Sequence, residues 1–181
     1  MSESRSGGPW RYGVGLAACA ALVWTGLISG SRVPALALVD LGFHELGHLV
    51  AAPLPDLITA LAGSVSQIAV PVGLAAYFLF AQRDLLGVGL CLTWAGTSAR
   101  NVAVYVADAP HQALPLIGGQ HDWGFILAGS LDLAPAIAGF VTFVAWGLAL
   151  AGMGVCALGL ARATAQSSKT RFGESSIPPI G

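Results

Sequence analysis

Two histidines and a glutamate stand together in the segment HELGH, residues 44–48. On an α-helix, His44 and His48 are four residues apart and lie on one face, where both imidazoles can reach a single Zn²⁺ ion. Glu45 lies beside this pair and can accept a proton from a water molecule on the metal. The spacing therefore predicts a zinc site with a general base next to it, the chemistry of metal-assisted hydrolysis.

A catalytic zinc site needs a third protein ligand in addition to the two histidines. The segment GGQHDWG offers His121 and Asp122 side by side, after a Gly-Gly pair that permits a sharp turn. We predict His121 as the third ligand, with Asp122 as its close alternative. His111, in the segment DAPHQ, is a further option.

Other polar residues are expected to line the pocket around this metal. Asp40 lies one helical turn before His44 and is predicted to orient that imidazole. Gln67 is predicted either to hold a substrate backbone or oxyanion, or to make interhelix hydrogen bonds. Asn101 and Asp108 belong to a polar stripe that should face the protein interior, because lipid would leave such groups unsatisfied.

The composition is that of a membrane protein. Of the 181 residues, 55% are hydrophobic and only 9% are charged, whereas soluble proteins carry about 25% charged residues. The formal net charge of −1 provides no basic surface for a nucleic acid, which excludes that class of partner. We therefore expect an integral membrane protein surrounded by lipid.

Runs of apolar residues define the helices that must position the site. A bilayer-spanning helix needs about 20 mostly apolar residues, and five such segments are found. The sequence thus predicts an all-α membrane protein, a polytopic bundle of about five transmembrane helices. The predicted spans cover residues 13–30, 33–52, 57–80, 85–107 and 134–160.

The remaining segments flank or interrupt this predicted bundle, which covers residues 13–161. Residues 1–12 form an N-terminal tail, residues 108–133 a re-entrant or interfacial loop, and residues 162–181 a flexible C-terminal tail. Within the loop, a short helix is expected with Asp122 as its N-cap. Lys and Arg favour the side that holds the C-terminus by five to two, so we predict that the C-terminus is cytoplasmic.

An HExxH motif inside a transmembrane helix resembles the site-2 protease class of intramembrane zinc metalloproteases. The resemblance is carried by the segment FHELGHLVAAP. That class takes its third ligand from the aspartate of an LDG motif on a later helix, and this motif is absent here. The segment HDW stands at a comparable point of the chain, so the resemblance points to Asp122.

A larger part of the chain resembles a group of small bacterial membrane proteins with the same zinc motif. The shared segments are AGSVSQIAVP, YVADA and ALPLIGGQHDW, which with HELGH cover about residues 41–127. This resemblance implies the zinc ligands, the helical architecture and a location in the bacterial inner membrane.

Together these features predict a zinc-dependent intramembrane hydrolase, most specifically a metallopeptidase that cleaves a transmembrane peptide. The alternative is a non-catalytic subunit, in which zinc stabilises the fold and the protein assembles a larger membrane complex. The fourth coordination position separates the two functions, because an enzyme leaves it to water and a structural site fills it with protein.

Overall fold

The computed structural model describes residues 8–116 and 119–174, and within these ranges the chain is helical and contains no β-strand. This confirms the prediction of an all-α protein. π-Helical turns extend the first helix to Ile28 and the third to Gln82, and a 3-10 turn, Leu131–Leu133, precedes the last. The helices are α1 (Pro9–Val23), α2 (Pro34–Ala51), α3 (Asp56–Tyr77), α4 (Leu85–Asp108), α5 (Asp122–Ile126) and α6 (Ala134–Glu174).

Three helical stretches are long and apolar enough to cross a membrane, namely Pro9–Ile28, Asp56–Gln82 and Leu131–Thr170. They support the prediction of a membrane protein. The predicted second and fourth spans are present as helices α2 and α4, but these are not among the three, because their polar residues lower the hydropathy. Of the two helices that fall short in hydropathy, α2 carries the HELGH segment and Asp40, and α4 carries Asn101 and Asp108.

Both ends of the helical region extend beyond the predicted limits of 13 and 161. Helix α1 begins at Pro9, a residue type suited to the first turn because it needs no hydrogen-bond partner for its nitrogen. Helix α6 continues to Glu174, through most of the predicted C-terminal tail. Its added turns contain good helix formers, and the hydroxyls of Thr164 and Ser167 bond to carbonyls of the preceding turn. Residues 1–7 and 175–181 lie outside the described ranges.

Helix α4 packs closely on α6 through small residues. A Cβ atom on Gly96 would lie 2.7 Å from the carbonyl oxygen of Ala145, and one on Gly152 would lie 2.6 Å from that of Gly89. Gly89 and Gly96 lie on the face of α4 that packs on α6. The polar stripe on the opposite face of α4 is therefore directed towards α2 and α3.

Helix α2 lies equally close to α3 at the level of the HELGH segment. A Cβ atom on Gly47 would collide with the carbonyl oxygen of Ala62 and with the hydroxyl of Ser66. That hydroxyl donates a hydrogen bond of 2.6 Å to the carbonyl oxygen of Phe43. The close approach fixes the motif against α3 and determines which side chains surround its histidines.

Candidate metal centre

Two histidines and one aspartate converge at the meeting point of α2 and α5. The Nε2 atoms of His44 and His48 lie 3.0 and 3.2 Å from the same carboxylate oxygen, Oδ2 of Asp122. One ligand atom from each residue lies within 4.8 Å of the other two. The three residues therefore form a group that could hold a metal ion.

The opposite nitrogen of each imidazole is held by an acceptor. Nδ1 of His48 lies 2.8 Å from the backbone carbonyl oxygen of Thr59, which can only accept, so this nitrogen carries a proton. Nδ1 of His44 lies 3.0 Å from Oε1 of Gln67. The Gln67 amide is oriented in turn by its nitrogen, which donates to the carbonyl oxygen of Ser98 at 3.2 Å.

These hydrogen bonds determine whether Nε2, the second nitrogen of each ring, carries a proton or a lone pair. When Nδ1 carries the proton of a neutral imidazole, Nε2 presents a lone pair. The Nε2 lone pairs of His44 and His48 and the carboxylate oxygen of Asp122 then face one another, and three acceptors repel unless a proton or a metal cation lies between them. A set of two imidazoles and one carboxylate fits Zn²⁺.

We expect Gln67→Leu to weaken metal binding by about 10- to 100-fold, because the substitution removes the acceptor that orients His44. Affinity would be measured by competition between the detergent-purified protein and a chromophoric chelator. Gln82→Leu is the matched control, since Gln82 is exposed at the end of the π-helical turn that follows α3. Equal affinities of the Gln67 variant and the wild type would show that the His44 imidazole does not depend on this hydrogen bond.

Tyr105 on α4 holds Asp122 in place. Its hydroxyl accepts a hydrogen bond of 3.0 Å from the backbone nitrogen of Asp122 and lies 3.3 Å from Oδ2, to which it can donate. Burial tends to raise the pKa of Asp122. When a proton rather than a metal ion lies between the three residues, the hydrogen bond from His44 and the positive charge of His48 outweigh burial and keep this pKa below its ordinary value. The carboxyl group is then anionic, which is also the form that a metal ligand requires.

His121, which the sequence favoured as third ligand, does not join this group. It is buried, and its Nδ1 accepts a hydrogen bond of 3.1 Å from the backbone nitrogen of Gly124. It therefore caps α5, a role the sequence assigned to Asp122. Its ring stacks on Tyr105 at 4.2 Å, and its Nε2 lies 3.4 Å from Oδ2 of Asp108.

Asp108 organises the loop that leads from α4 to α5. Its carboxylate accepts hydrogen bonds from the backbone nitrogens of Ala113 and Leu114, at 3.1 and 3.0 Å. His111, the other candidate ligand, lies exposed on this loop and outside the group of three. Asp108 therefore belongs to the loop and to the contact with His121, and it is not part of the group formed by His44, His48 and Asp122.

Asp40 forms no hydrogen bond with His44, which corrects the prediction that it orients that imidazole directly. It is buried and accepts hydrogen bonds from three side chains of α4. The donors are Nε1 of Trp94 at 2.8 Å, the hydroxyl of Ser98 at 2.6 Å and Nδ2 of Asn101 at 3.2 Å. The predicted pocket residue Asn101 is thus bound to Asp40, and Gln67 takes the place beside His44.

A cavity of about 540 Å³ borders the three converging residues. Glu45 faces this cavity and is exposed. Leu114, Pro115 and Leu116 of the loop contribute an apolar wall. The group of three therefore lies beside a space large enough for a small peptide segment, with a carboxylate at its edge. The other polar residues that line the cavity include Arg32, Asp40, Gln67, Asn101, Tyr105 and Gln120.

Comparison with known proteins yields no match. No family model, no curated protein and no solved structure matches this chain.

Sequence reasoning missed the residues that contribute through the backbone. The backbone carbonyl group of Thr59 binds Nδ1 of His48. Because the side chain takes no part in this contact, the residue type does not predict it. Gly63 passes close to both imidazoles. The position of Gly63 could have been inferred from the sequence, because it precedes Gln67 by one helical turn and therefore lies on the same face of α3.

Proposed function

We propose that this protein is a zinc-dependent hydrolase of the membrane, most specifically a metallopeptidase similar to the site-2 protease class. The observation that carries the proposal is the convergence of His44, His48 and Asp122 beside a cavity that also contains Glu45. Two histidines and a carboxylate form a common ligand set of catalytic zinc, which keeps one position for water or substrate.

The chemistry follows from the residues around the cavity. Bound zinc would lower the pKa of a coordinated water molecule to about 7. Glu45 would accept a proton from that water and deliver it to the leaving amine, the role of a general base and then of a general acid. Tyr105 would keep Asp122 oriented through its hydroxyl.

The absence of a further protein donor favours catalysis over the structural alternative. A subunit clamped by zinc would fill the fourth position with protein. In the described part of the chain, no other histidine, cysteine or carboxylate joins the group of three. His121, which could have completed a structural site, instead accepts a hydrogen bond from the backbone nitrogen of Gly124 through Nδ1 and directs Nε2 towards Asp108, 3.4 Å away.

The proposed location is the bacterial inner membrane, with α2 and α4 as additional spans and the C-terminus in the cytoplasm. His44 lies ten residues after Pro34, so the helical rise places it about 15 Å from the start of α2. This is roughly half the thickness of the hydrocarbon core. A site at that depth would act on a peptide bond within the membrane.

The test is the substitution Glu45→Gln, which should keep bound zinc and reduce turnover by about 100-fold or more. Wild type and variant would be reconstituted with membrane proteins in liposomes, and newly formed peptide N-termini would be identified by mass spectrometry. Asp56→Asn is the control, since Asp56 is an exposed carboxylate away from the cavity. Equal products from Glu45→Gln and wild type would contradict the mechanism, and no products from wild type would contradict the assignment as a peptidase.

A further inference from the structure

Asp40 is an unusual residue for the interior of a membrane protein. Its side chain is a buried carboxylate on α2, and its relative exposure is only 3%. Within the described residues it forms no ion pair, and its partners are three neutral donors. A buried acid in such surroundings is costly and indicates a specific role.

The three donors all belong to one face of α4. Trp94, Ser98 and Asn101 follow one another at spacings of four and three residues, so they form a row along the helix. One carboxylate on α2 therefore bonds to two successive turns of α4. Since Asp40 and Asn101 also line the cavity, this contact fixes the separation of the two helices across it.

Ser98 also connects Asp40 to His44, one of the proposed metal ligands. The Ser98 hydroxyl donates to Asp40, and its carbonyl oxygen accepts from the amide nitrogen of Gln67. The oxygen of that amide lies 3.0 Å from Nδ1 of His44. The hydrogen bonds thus leave α2 at Asp40, pass through α4 and α3, and return to α2 one turn later at His44.

From this closed chain of hydrogen bonds we infer that Asp40 is a positioning residue of the metal centre. It acts on His44 indirectly, because the location of Ser98 determines where Gln67 holds the imidazole. Loss of the carboxylate would release α4 from α2 and change the angle at which His44 presents its Nε2. This inference rests on the metal centre proposed above but not on the peptidase activity.

Co²⁺ substituted for zinc tests the inference, because its visible absorption spectrum reports the geometry of its ligands. Asp40→Asn keeps the size of the side chain but directs an amide group at three donors. We expect its Co²⁺ affinity to fall by about 10- to 100-fold and its absorption bands to shift. Ser98→Ala removes the hydroxyl and keeps the carbonyl, so we expect a smaller change in the same direction.

Thr93→Ala is the matched control. Its hydroxyl is also buried on α4, but it donates to the carbonyl oxygen of Gly89 on the side that faces α6 and lies outside the chain of hydrogen bonds that ends at His44. Its spectrum should equal that of the wild type, whatever the change in thermal stability. Wild-type spectra and affinities in both Asp40→Asn and Ser98→Ala would overturn the inference and leave Asp40 with a role in helix packing alone.

The failure of the inference is distinguishable from the failure of the proposed function. A wild-type protein that binds no Co²⁺ or Zn²⁺ would overturn the metal centre and the role of Asp40 together. Metal binding without peptidase activity would overturn the enzyme and still leave the spectra of the Asp40 variant to decide its role.

Discussion

Replacement of Asp122 by alanine is expected to remove metal from the protein, whereas the same substitution at His121 should leave it bound. Asp122 supplies the oxygen on which both Nε2 atoms converge, and His121 supplies none of the converging atoms. Loss of a residue that only orients a ligand costs about 10- to 100-fold in metal affinity. Loss of a direct ligand should cost more, so Asp122→Ala should contain little zinc after purification.

Elemental analysis of the detergent-purified proteins measures this directly. We expect one zinc ion per chain in the wild type and in His121→Ala, and almost none in His44→Ala, His48→Ala or Asp122→Ala. The two substitutions at neighbouring positions serve as controls for each other. Zinc retained in Asp122→Ala and lost from His121→Ala would reverse the assignment and restore the ligand that the sequence favoured.

The choice between His121 and Asp122 shows what a sequence can and cannot establish about this site. The spacing of the two histidines on α2 follows from helical geometry alone, so their convergence could be predicted. His121 and Asp122 are consecutive, and only the path of the loop decides which of them reaches α2. That path depends on Asp108, which binds two backbone nitrogens of the loop, and on Tyr105, which holds the Asp122 carboxylate.

Asp40 illustrates a different limit. Its position one turn before His44 suggested a direct interaction between the two residues, but helical spacing does not determine which neighbour a side chain binds. Three donors on α4 determine the direction of the Asp40 carboxylate. The link therefore runs through Ser98 and Gln67, on helices whose mutual packing no local pattern reveals.

The helices themselves were largely predictable, because apolar composition and proline positions are local properties. Pro34 begins α2, as expected from the preference of proline for the first turn. The end of α6 was not predictable from hydropathy. Residues beyond 161 are polar, yet they keep helical propensity, and the helix continues where its apolar stretch has ended.

Gly63 lies against both histidines of the proposed metal centre, and we expect Gly63→Ala to weaken metal binding strongly. A Cβ atom at this residue would lie 2.5 Å from Nε2 of His48 and 2.6 Å from Nε2 of His44. Neither ring can turn away freely, because Thr59 and Gln67 hold their opposite nitrogens. The methyl group must therefore push α3 away from α2 or displace both ligand atoms, and we expect metal affinity to fall by at least about 100-fold.

Gly73→Ala on the same helix separates this steric effect from the general effect of replacing a helical glycine. A Cβ atom at Gly73 meets no other atom within 4 Å, so this variant should bind metal normally. Its stability should rise by up to about 1 kcal/mol, because alanine favours the helix. Both variants gain the same helical preference, so only the contact with the imidazoles distinguishes them. Normal metal binding by Gly63→Ala would show that the backbone of α3 does not approach the two histidines this closely. A selective loss in that variant would explain why α3 carries a glycine at the level where the ligands converge.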